Sequence, residues 1–129
     1  QPRSRGLGDV YKRQELTLEE RGVPKEKISL KMRKELRFNG EALEVDVFNE
    51  DPLVVCEVTT CIRTIEEARS EVEKVLRRVR LAEKIYGRKV VLAVLAVANV
   101  SSEAVEELKA TAKRHNVRLV LGKETLYLD

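Results

Sequence analysis

Asp46 and Glu57 are the residues of this chain best suited to chemistry, with Glu44 beside the first of them. Glu44-Val45-Asp46 and Glu57-Val58-Thr59 fall on two segments that the hydrophobic pattern predicts to be neighbouring strands. Apart from Glu57, residues 53–58 are Leu53, Val54, Val55, Cys56 and Val58. A carboxylate in such a strand is costly to bury unless something compensates its charge. A hard, oxygen-seeking cation such as Mg²⁺ compensates two neighbouring carboxylates well, and at such a site it can polarise a phosphate and activate water.

Those carboxylates need elements to hold them. Ile28, Leu30 and Met32 alternate with Ser29, Lys31 and Arg33, and Leu36 and Phe38 continue the parity, which predicts a half-buried strand. Asn39-Gly40 is a hairpin signal, and Leu43, Val45 and Val47 then mark a second strand. A turn at residues 49–52 leads to the third, which is apolar on both faces and therefore central. Side chains alternate along a strand, so Glu44 and Asp46 share a face, as do Glu57 and Thr59. A tight turn sets Asp46 opposite Val55 or Glu57, and either register puts Asp46 and Glu57 on one face, roughly 5–8 Å apart at Cβ.

A helix begins at Thr64, where Thr64-Ile65-Glu66-Glu67 fits a capping box. Its apolar stripe is Ile65, Ala68, Val72, Val75, Leu76, Val79, Ala82 and Ile85, and Gly87 is the expected C-terminal cap. Residues 90–98 read as a buried strand. Ser101 or Ser102 caps a helix running to about His115, residues 117–121 form a last strand, and a short tail follows. Residues 15–23 read as the stump of a helix. The order, (α)βββαβαβ, predicts an α/β domain with a mixed central sheet.

With those elements in place, the string Glu44-Val45-Asp46 followed by Glu57-Val58-Thr59 resembles the core motif of the PD-(D/E)XK, or restriction-endonuclease-like, nuclease superfamily, in a form most like its archaeal members. The resemblance spans most of residues 15–121. It implies a metal-dependent nuclease acting on DNA, with Mg²⁺ or Mn²⁺ held by Asp46, Glu57 and the Val58 carbonyl. Glu44, Glu19 and Glu20 are further candidate ligands. Thr59 stands where the family has its catalytic lysine and cannot supply a positive charge. Arg63 and Lys74 are the candidate substitutes. The same departure supports an alternative, a nuclease-fold module that no longer cuts and instead binds nucleic acid or a protein partner. A third reading is a purely structural α/β domain, with Glu44 on a solvated strand face and the basic second half of the long helix facing water.

Residues 4–14 resemble a translated transposon-type sequencing adaptor, so residues 1–14 are expected to lie outside the fold and residues 15–129 to form one domain, shortened at its N-terminus. The net charge of +3 then carries no message about partners. Arg3, Arg5, Lys12 and Arg13 against Asp9 account for it, which leaves 21 basic and 21 acidic residues in 15–129. A chain 43% hydrophobic and 36% charged supports a packed core and argues against disorder. The abundance of Glu, Lys and Arg fits a thermophile. Cys56 and Cys61 imply neither a disulfide framework nor a metal site. The longest apolar run is too short to span a bilayer, so a cytoplasmic protein is expected, with DNA as partner, no membrane, and a homodimer as a compatible assembly.

Overall fold

A computed structural model describes residues 2–122 of the chain, with side chains from Leu7 onward. The elements are α1 (Pro2–Glu20), a 3-10 turn (Lys25–Lys27), β1 (Lys31–Phe38), β2 (Glu41–Asn49), β3 (Val54–Ile62), α2 (Ile65–Tyr86), β4 (Leu92–Val100), α3 (Val105–Arg114) and β5 (Arg118–Leu121). The tail expected after β5 lies outside the described residues. The five strands form one mixed sheet in the order β1-β2-β3-β4-β5. β1, β2 and β3 are antiparallel neighbours, and β3, β4 and β5 run parallel. This is the α/β class with a mixed sheet that the sequence predicts.

Apolar residues on both faces of β3 and β4 make these the central strands. Val54, Cys56, Leu92, Val94 and Ala96 pack with Leu7, Val10 and Leu18 of α1. Leu95 and Val97 pack on the other face with Ala68, Val72 and Val75 of α2 and Leu108 and Ala112 of α3. A third cluster joins Leu36, Val45, Phe48 and Val55 to Leu81 and Ala82 of α2.

Residues 2–14 correct the expectation that they lie outside the fold. They are continuous with residues 15–20 in α1, and Leu7 and Val10 are buried. The physical reason is their spacing: Leu7, Val10, Tyr11, Gln14 and Leu18 recur on one helical face. Gln14 sits inside that stripe, 1% exposed, and its Oε1 has no hydrogen-bond partner. Gln14→Leu is therefore expected to stabilise the protein by about 1 kcal/mol. A higher urea midpoint at unchanged slope is the result that checks it.

α2 starts and stops where its sequence directs. The Thr64 hydroxyl accepts from the Glu67 N–H at 3.0 Å, and Glu67 Oε1 accepts from the Arg63 N–H at 2.7 Å. The Glu67 side chain thus reaches back one residue beyond the cap itself. Gly87 closes the helix in the left-handed region, at φ 69°. Thr64→Ala is expected to lower stability by about 1 kcal/mol, measurable by chemical denaturation. In the loop before α3, the Ser101 hydroxyl accepts from Ala104 N–H and donates to the Arg63 carbonyl, which ties that loop to the end of β3.

The hairpin of β1 and β2 departs from simple alternation. Asn39 and Gly40 both take positive φ, as a tight two-residue turn requires. Met32 pairs with Val47 and Lys34 with Val45, and Arg33 and Asp46 lie opposite each other between those pairs, outside the regular ladder register. Arg33 adopts φ 57°. Val45 packs in the cluster with α2, whereas Val47 packs in the cluster with α1. Both strands therefore exchange faces at Arg33 and Asp46, while the pairs on either side keep one register. The single parity predicted for residues 28–38 and for Leu43, Val45 and Val47 breaks at this point, and Met32 is left 52% exposed.

Candidate active site

The face exchange places Asp46 where it can serve the neighbouring strand. β2 and β3 pair through Asn49↔Val54, Phe48↔Val55 and Val47↔Cys56, and the ladder stops there. Continued, it would set Asp46 against Glu57 and give the Val58 N–H to Val45. Instead, the Asp46 N–H donates to Glu57 Oε2 at 2.9 Å, and the Val58 N–H donates to Asp46 Oδ2 at 2.9 Å. Two carboxylates thus replace backbone carbonyls where the strands part. Asp46 is buried at 1% exposure and Glu57 is half-buried. Of the two registers the sequence allows, this is the one that sets Asp46 beside Glu57.

The Val58 carbonyl lies on the same edge of β3 as its N–H, because the amide and carbonyl of a strand residue point to the same neighbour. It therefore also faces the opening between β2 and β3. Asp46, Glu57 and Val58 bring only oxygen donors to one place, the ligand type that Mg²⁺ and Mn²⁺ select. The donor set fits a hard divalent cation. Cys56, fully buried next to them, has its thiol pushed far up, first by burial and then by the charges of Glu57 and Asp46. Burial thus favours the neutral thiol.

Arg78 approaches from α2. Its Nε lies 3.3 Å from Glu57 Oε1, with the two side chains 16% and 13% exposed. The same Nε donates to the Glu44 carbonyl at 2.7 Å, and Nη1 donates to the Lys74 carbonyl at 3.0 Å. Nε carries one hydrogen and its shorter contact is to the carbonyl, so Glu57 is held mainly by charge. Three contacts fix the guanidinium beside the carboxylate. The sequence pattern groups Arg78 with a solvated basic face of α2. The signal that could have found it is its place on α2: Arg78 lies three residues from Val75 and Leu81 and four from Ala82, all buried.

The remaining candidates do not join this site. Glu44 is exposed and contributes only its backbone carbonyl to Arg78. Glu19 and Glu20 are exposed at the end of α1. Among the described residues no group of three or more His, Cys, Asp or Glu is placed to share a metal ion. Thr59 is half-buried two residues beyond Glu57, on the same face of β3. Lys74 Nζ is engaged by Glu71 at 3.0 Å, and Arg63 is exposed past the end of β3 with its backbone in the α2 cap. Arg78, in contrast, brings a cation to Glu57. No family model, no curated protein and no solved structure matches this chain. No helix among the described residues is long and apolar enough to cross a membrane.

Proposed function

We propose that the chain is a nuclease-like domain of the PD-(D/E)XK type that binds Mg²⁺ or Mn²⁺ and hydrolyses phosphodiester bonds of DNA, acting in the cytoplasm. The observation that carries the reading is the interlocking of Asp46 and Glu57 with the Asp46 and Val58 amides where β2 and β3 part. Asp46, Glu57 and the Val58 carbonyl would hold the cation. When bound, such a cation polarises a phosphate oxygen and lowers the pKa of its water. The chain's own groups do the rest. The two amides fix the carboxylates in orientation, and a site held by backbone amides on a sheet is rigid. Arg78 brings a guanidinium to Glu57, a positive charge where Thr59 offers none. A guanidinium suits phosphate oxygens in both geometry and charge.

A second reading has a specific observation behind it. The Arg78–Glu57 ion pair already compensates a carboxylate that would otherwise call for a cation, which favours a nuclease-fold module that binds nucleic acid without cutting it. Calorimetric titration with Mn²⁺, together with a DNA cleavage assay of the same chain, separates the two. The nuclease reading expects one saturable Mn²⁺ site and cleavage that chelator stops. Salt-sensitive DNA binding without turnover selects the second reading. A protein that binds neither Mn²⁺ nor DNA is a structural domain, and that result ends both.

A further inference from the structure

We infer that the outer edge of β1, with the 3-10 turn that precedes it, is the surface on which a nucleic-acid phosphate backbone docks. The inference rests on the proposed function for its choice of polyanion, but the surface is defined by charge alone. Residues 25–38 hold six basic side chains (Lys25, Lys27, Lys31, Arg33, Lys34 and Arg37) against Glu26 and Glu35. The rest of the chain holds nineteen basic against twenty acidic. Positive charge is thus concentrated in one short segment of a chain that is otherwise close to balanced. α2, the other basic-looking element, carries six basic against five acidic residues, and its Arg69, Arg78 and Arg80 are engaged by Glu107, Glu57 and Glu73.

The position of the segment suits the role. Among the described residues β1 has a strand neighbour on one side only, so it forms an edge of the sheet. Lys25, Lys27, Lys31 and Arg37 are exposed. Two of these touch an acid: Arg37 lies 3.0 Å from Glu35 and Lys27 lies 3.7 Å from Asp51, all four side chains being more than half exposed. Such pairs are worth about 0–1 kcal/mol and yield easily to a phosphate. An eight-residue strand is about 26 Å long. One strand of a duplex presents a phosphate about every 3.4 Å of axis over that length. The track also passes the carboxylate pair, since Arg33 lies opposite Asp46.

Lysines on an edge strand have another use, to keep edges of separate copies from pairing. Substitution distinguishes the two roles. The experiment measures fluorescence anisotropy of a labelled random-sequence DNA duplex with the full chain in EDTA, from about 50 to 200 mM salt. Chelation keeps a failure of the metal site from disturbing the result. Lys25→Ala, Lys31→Ala and Arg37→Ala are combined in one protein, all three side chains being exposed. The combined variant is expected to bind at least about tenfold more weakly at the low-salt end and to show a log–log salt slope shallower by about 3. A matched variant of Arg77, Arg80 and Lys84 is expected to change neither. Unchanged affinity and slope in the first variant overturn the proposal. If that variant self-associates on sedimentation while keeping its DNA affinity, the lysines serve only to guard the edge. Loss confined to the α2 variant moves the interface to that helix and likewise overturns the proposal.

Discussion

Asp46→Asn is expected to abolish the heat of Mn²⁺ binding and to reduce DNA cleavage by at least about a hundredfold while leaving the fold intact. The amide keeps an oxygen for the Val58 N–H, which now donates to Asp46 Oδ2 at 2.9 Å, and it removes the negative charge a cation needs. Partners one bond further from a metal are commonly worth about 10–100-fold in affinity, so a direct ligand should cost at least the upper end of that range. Asp46→Ala behaves differently. It strands the Val58 N–H in a buried place, at a cost of about 1–3 kcal/mol. Calorimetry, cleavage and urea denaturation on both variants separate ligand from scaffold. Full cleavage by Asp46→Asn would sink the nuclease reading.

Arg78→Ala has the second large effect, with opposite signs in two measurements. Removing one partner from a mostly buried ion pair takes a counter-charge from Glu57, and the apo protein is expected to lose about 3 kcal/mol. The same substitution removes the guanidinium that shares Glu57 with a cation, so Mn²⁺ should bind the variant more tightly than the parent. A ligand present at a hundred times its dissociation constant stabilises a protein by about 2.7 kcal/mol. Saturating Mn²⁺ should therefore restore most of what Arg78→Ala costs. Cleavage should still fall, because the guanidinium next to Glu57 is gone. Urea denaturation with and without Mn²⁺ reads the crossover, and a variant that Mn²⁺ does not rescue would count against a cation between Asp46 and Glu57.

Much of this architecture is legible in local sequence. Asn39-Gly40, the Thr64 cap and Gly87 announce their turns by residue type, because positive φ and capping admit few alternatives. The double-sided apolar pattern of residues 53–59 marks β3 as central, and Asp46 with Glu57 stands out against it. The face exchange is not legible in the same way. Leu43, Val45 and Val47 share parity in sequence, yet they divide between two layers, because the break is made by a pair of residues on two strands, outside the regular ladder register, and not by any residue type on one. Arg78 is hidden for a related reason: its partner is 21 positions away in sequence, and only the packing of α2 across the sheet brings them together. Residues 2–14 enter α1 through their helical spacing, about which the resemblance to an adaptor says nothing.

The exchange at Arg33 and Asp46 divides one hairpin between two allegiances. The tip, with Leu36, Leu43 and Val45, belongs with α2, and the base, with Leu30 and Val47, belongs with α1. Cooperative units of a protein open along such seams, so amide hydrogen exchange should show two blocks of protection meeting in mid-strand and not at the hairpin turn. The carboxylate pair lies on that boundary. A ligand gripping Asp46 and Glu57 together would rivet the blocks and merge two opening events into one.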